Sequence, residues 1–149
     1  MTGSFEVKSV EETWAIARAF AHDLQAGDVV CLEGDLGAGK TTFTQALVAE
    51  LGGTGRVTSP TFCLVQEHPS GTKRGIDVVH MDLYRLTNEQ DVLTLGWEDY
   101  RDQKCILVVE WPERAGSLIP ENAYRVRLNY ILSECDEARR IDIQSQILI

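Results

Sequence analysis

Val29-Val30-Cys31-Leu32-Glu33, followed at once by Gly34-Asp35-Leu36-Gly37-Ala38-Gly39-Lys40-Thr41, decides how this chain is read. The first part is a continuous apolar run, the pattern of a central strand buried on both faces. The second satisfies G-x-x-x-x-G-K-[ST] in full. Its glycines let the backbone curl so that successive N–H groups point inward at an anion. Gly37 and Gly39 also remove side chains that would block close approach. A helix predicted over 40–51, stopped by Gly52-Gly53, offers its positive end to the same anion. Lys40 is placed to reach the β- and γ-phosphates of a nucleotide, and the Thr41 hydroxyl to bind Mg²⁺. The pattern alone is a weak filter. The strand before it and the helix after it supply the context that the mechanism requires.

Working outward, residues 5–10 alternate apolar and polar as a short strand does, and 11–25 reads as a helix. Thr13 is its expected N-cap, with Trp14, Ala17, Ala21 and Leu24 at helical spacing. Downstream, 56–61 is a polar loop. Residues 62–67 and 76–81 read as strands joined through the turn-rich 68–75, which predicts a hairpin. Residues 87–100 read as an acidic helix with a solvated face. Cys105 to Val109 is a second buried strand, ending on Glu110-Trp111-Pro112-Glu113. Residues 124–131 and 139–146 alternate as a closing antiparallel hairpin. The sum is an α/β fold: a P-loop NTPase-like mixed β-sheet with a parallel centre, antiparallel additions and flanking helices, in one domain over 1–149.

Composition limits the functions. The chain has 149 residues, 44% hydrophobic and 25% charged, ordinary values for a globular domain. No apolar run approaches the roughly 18 residues of a membrane span. The N-terminus lacks a basic region and a long apolar core, so the expected location is the cytoplasm. Cys31, Cys63, Cys105 and Cys135 form no C-x-x-C pair, which argues against zinc. Cys31, Cys63 and Cys105 read as reduced, buried small hydrophobes. A net charge of −9 disfavours direct binding to a phosphate backbone. In an RNA pathway a partner would hold the RNA.

A P-loop also needs an acid at the end of a neighbouring strand. Glu110 and Asp82 both follow apolar runs. One can hold the metal while the other positions the attacking water. Trp111, directly after Glu110, is either packing or a sensor of nucleotide or partner. Thr58-Ser59-Pro60-Thr61 places hydroxyls where switch loops reach the γ-phosphate.

Gly34 to Thr42, Ser59-Pro60-Thr61-Phe62, His80-Met81-Asp82-Leu83-Tyr84-Arg85 and Glu110-Trp111-Pro112-Glu113, in that order, resemble the TsaE family. These are small bacterial ATPases of tRNA threonylcarbamoyladenosine (t6A) biosynthesis. The resemblance spans about residues 5–130; the tail after Ile131 and the 68–75 turn carry no match. It implies ATP and Mg²⁺ as cofactors and TsaB and TsaD as partners. Those two attach the threonylcarbamoyl group at tRNA position 37, and tRNA is met only through them. The resemblance implies that ATP hydrolysis resets or drives the complex; because no residue here is an obvious complete hydrolytic engine, slow turnover is expected without the partners. The resemblance implies that Leu36, Gly37, Ala38, Gly39, Lys40 and Thr41 hold the phosphates, with Thr42 and Thr61 also at the nucleotide. Thr41 and Glu110 would bind Mg²⁺. Asp82 would assist hydrolysis beside Lys40 and Glu110, and Trp111 would lie near the nucleotide. Val10 or Glu11 is the expected contact from the N-terminal segment.

Other functions leave their own marks. A GTPase needs N-K-x-D, and none of the asparagines precedes a lysine. A small-molecule kinase would have to recruit Arg85, Arg101 or Arg114 for a lid that the C-terminal strands leave little room for. A non-catalytic module that binds nucleotide only to gate assembly would share every residue above, and turnover alone separates it from an ATPase.

Overall fold

The structure, a computed structural model, describes residues 1–35, 37–53, 64–71, 75–131 and 138–145. In chain order the elements are β1 (Gly3–Val7), α1 (Val10–Ala21), β2 (Val29–Gly34), α2 (Lys40–Glu50), β3 (Val65–His68) and β4 (Asp77–Asp82). They continue with α3 (Glu89–Thr94), α4 (Trp97–Asp102), β5 (Cys105–Glu110), β6 (Tyr124–Tyr130) and β7 (Arg139–Ser145). Short 3-10 turns at Pro112–Arg114 and Gly116–Leu118 lie between β5 and β6. Among the described residues the strands form one seven-stranded sheet, in the order β1-β7-β6-β2-β5-β4-β3. β6, β2, β5 and β4 run parallel, whereas β1 on β7, β7 on β6 and β3 on β4 are antiparallel. The chain thus forms the parallel centre and antiparallel additions expected from its sequence.

The apolar runs explain which strands are central. Val29 to Leu32 and all of β5 are buried, because helices cover both faces there. On one face, α1 and α2 pack on Val30, Leu32, Ile106, Val108, Val126, Leu128, Ile141 and Ile143. Phe20 of α1 and Phe43 of α2 meet with ring centroids 6.1 Å apart. On the other face, Val92 of α3 and Trp97 of α4 pack on Val29, Cys31, Val79, Met81, Leu107 and Val109. β6 and β7 alternate instead. Their apolar residues face α1 and α2, and Arg125, Arg127 and Arg140 lie on the opposite face, paired with Glu33 and Glu6. Cys31 and Cys105 are buried, and burial pushes the Cys31 thiol up to about 11. Cys63 and Cys135 lie outside the described residues.

Three local expectations are corrected. The first strand is Gly3–Val7 rather than 5–10, and Val10 opens the helix. Ser9, not Thr13, is the N-cap: its Oγ accepts the Glu12 N–H at 3.1 Å, while the Thr13 hydroxyl donates back to the Ser9 carbonyl at 3.3 Å. The helix expected at 87–100 is two short helices. They are broken at Gly96, whose left-handed backbone (φ 98°) starts a new helix direction. The start of the strand expected at 62–67 lies outside the described residues, and the remainder pairs with β4 as a hairpin should.

Candidate functional site

The site is built where β2 hands over to α2. Gly39 is the N-cap of α2 with φ 108°, a backbone shape that side chains resist. A glycine cap offers no side-chain acceptor, so the first N–H groups of α2 remain for a ligand. Gly37 has φ 81°, and a Cβ there would sit 2.6 Å from the Tyr130 hydroxyl. Ala38 is fully buried beneath the loop. Leu36 lies outside the described residues.

The two candidate acids arrive from β4 and β5. Because these strands are parallel and in register, Asp82 stands directly opposite Glu110, both at carboxyl ends and both buried. Ligands of open α/β sheets bind at such ends. Glu110 Oε1 lies 3.2 Å from Lys40 Nζ, and Oε2 lies 2.7 Å from His80 Nε2. Burial pushes the Glu110 pKa up, but the hydrogen bonds and charges of His80 and Lys40 outweigh it and hold the carboxyl below its ordinary range. Asp82 Oδ1 accepts the Tyr84 N–H at 3.0 Å. Tyr84 in turn packs its ring on Trp111 at 4.9 Å between centroids. Trp111 itself has φ 58°, a left-handed conformation costing a non-glycine residue about 1–2 kcal/mol. That turn points the chain away immediately after Glu110, and Trp111 remains 38% exposed.

A cleft of about 630 Å³ opens between these groups. Gly37, Gly39, Lys40, Thr41 and Thr42 line one side, and Asp82, Tyr84, Glu110 and Trp111 the other. The structure therefore brings together the sequence candidates Gly37, Gly39, Lys40, Thr41, Thr42, Asp82, Glu110 and Trp111. Val10 and Glu11 are exposed at the start of α1 and do not line the cleft. Thr61 and the expected switch at 58–61 lie outside the described residues. The segment after them is fixed beside the site, since the Asp82 N–H donates to the Leu64 carbonyl at 2.8 Å. The sequence reading assigns no role to His80, although it precedes Asp82 by two residues on one strand, so both side chains point to the same face. The donors gathered here, a hydroxyl and two carboxylates, are hard oxygens of the kind that suit Mg²⁺.

A strand, a glycine loop and an uncapped helix end, with a lysine and two acids around one cleft, define an α/β protein of the P-loop NTPase-like class. The family model for "Threonylcarbamoyl adenosine biosynthesis protein TsaE" matches residues 7–141. The chain is 39% identical over 130 residues to the Bacillus subtilis tRNA threonylcarbamoyladenosine biosynthesis protein TsaE, covering 87% of this chain and 77% of that one. The Streptomyces coelicolor protein of the same name is 39% identical over 129 residues, covering 86% of each. The crystal structure of Bacillus subtilis YdiB superposes with a TM-score of 0.75 at 29% identity, covering 97% of this chain and 86% of that one. This chain belongs to the TsaE family.

Proposed function

We propose that this chain binds ATP with Mg²⁺ and hydrolyses it slowly, as the ATPase of t6A formation on tRNA. It would act on a TsaB–TsaD complex rather than transfer the threonylcarbamoyl group itself. The observation that carries the nucleotide reading is the convergence of Lys40, Thr41, Asp82 and Glu110 on one cleft beside an uncapped helix end. The pathway reading rests on family membership and on the names its relatives carry.

The residues divide the work by their chemistry. The N–H groups of the loop and of the first turn of α2 bind phosphate oxygens. Lys40 exchanges its Glu110 partner for the β- and γ-phosphates. Thr41 and Glu110 would hold Mg²⁺, which would supply charge neutralisation for the phosphates. Asp82 has one oxygen engaged by the Tyr84 N–H, and among the described residues the other is left to orient the attacking water. These residues do not make a complete hydrolytic engine, and P-loop enzymes gain large factors from groups supplied in trans. The test is ATP hydrolysis by the purified chain, with and without purified TsaB and TsaD. The expected result is slow turnover alone and faster turnover with both. Full-speed turnover by the isolated chain would remove the dependence on partners, and phosphate passed to a small acceptor would favour a kinase.

A further inference from the structure

His80 is fully buried on β4, with Val78 and the buried Asp82 as its same-face strand neighbours. A polar ring in that position is costly unless a hydrogen bond compensates it. It makes one such bond, Nε2 to Glu110 Oε2 at 2.7 Å, and its Nδ1 has no partner among the described residues. Bonding to a carboxylate places a proton on Nε2. The two side chains meet diagonally, since His80 is opposite Val108 and Asp82 opposite Glu110. The other Glu110 oxygen, Oε1, holds Lys40.

Resting on the Mg²⁺-nucleotide reading above, we propose that His80 is a positioning residue: it pins Oε2 so that Glu110 presents Oε1, and only Oε1, to the cation once Lys40 moves to phosphate. Without this anchor, a glutamate that loses Lys40 is free to rotate. With it, the carboxylate keeps one orientation before and after the lysine leaves. Outer partners of this kind typically govern metal affinity by about 10–100-fold.

The test uses the full chain with His80→Leu, His80→Asn and His80→Gln. The glutamine amide nitrogen reaches the place of Nε2, whereas the asparagine nitrogen falls short, at the place of Nδ1. ADP binding is measured by calorimetry in EDTA and across a MgCl₂ titration, with thermal unfolding of each variant alongside. The expected result is near-wild-type ADP affinity in EDTA for all three. Half-saturating Mg²⁺ should rise about 10-fold or more in the leucine and asparagine variants and return to within about 3-fold of wild type in the glutamine variant. Unchanged Mg²⁺ dependence in His80→Leu and His80→Asn would overturn the assignment. So would an equal loss of ADP affinity with and without Mg²⁺ in all three, which is the mark of a purely structural residue. If the leucine variant does not fold, the asparagine–glutamine comparison decides. Failure of the wild-type chain to bind ADP with Mg²⁺ would instead overturn the nucleotide reading itself.

Discussion

Lys40 and Glu110 form an ion pair that a nucleotide bound as proposed would have to break. At 3.2 Å and largely buried, the pair holds the lysine on the carboxylate. Lys40→Ala should lower nucleotide affinity in the presence and absence of Mg²⁺. Glu110→Ala should abolish Mg²⁺-dependent turnover, yet raise Mg²⁺-free ADP affinity by about tenfold, or 1.4 kcal/mol, because it frees the lysine and removes a repelling charge. Calorimetry in EDTA separates the two, and a fall for Glu110→Ala would contradict the ion-pair account. The same carboxyl sets a pH dependence. Its folded pKa is below its ordinary 4.5, so the unfolded chain binds the proton more readily. The pair's stabilisation is therefore fully present above pH 4.5 and is lost as pH falls through the lowered folded value. Unfolding midpoints of the nucleotide-free wild type and Glu110→Gln should converge as acid is added. A constant gap would show that the carboxylate's partners contribute nothing. At this scale much of the site was legible, because an apolar run ending in an acid marks Glu110 and Asp82 as surely as the glycines mark the loop. His80 was harder to see, since a histidine inside a strand reads as ordinary until its neighbour across the sheet is known.

Elements turn on smaller signals. Ser9→Ala should cost about 1 kcal/mol through loss of the α1 cap. Thr13→Ala should cost less, since its hydroxyl bonds a carbonyl already used by the helix. Denaturant unfolding of the two variants ranks them, and the reverse order would restore Thr13 as the cap. Sequence periodicity located α1 but mistook its start, because Ser9 and Thr13 are both good capping residues and only the chain direction after β1 chooses between them. Between 87 and 100 the acidic, helix-forming composition concealed the break at Gly96. A lone glycine is tolerated in many helices, and only its φ of 98° reveals the stop. The hairpins of β3 with β4 and of β6 with β7 were legible, but nothing local to Tyr124–Tyr130 says that this strand also lies parallel to β2.

Across the whole molecule, the cleft is walled by groups from β2, α2, β4 and β5, which share one sheet and two buried clusters. Ligand binding there should stabilise the fold as a unit. ADP with Mg²⁺ at about 100 times its Kd should add about 2.7 kcal/mol. Tryptophan fluorescence and far-UV circular dichroism should report the same raised transition, and a shift in one signal alone would mean that the site unfolds separately. The strand order has a different consequence for the chain as it is made. β2, which carries the phosphate loop, needs β5 and β6 at its sides, and β1 needs β7, so strands synthesised early wait for strands synthesised last. On the ribosome the loop is translated long before its sheet can close, and a product that stops short of β6 would carry the motif on a strand paired along one edge only, with β5.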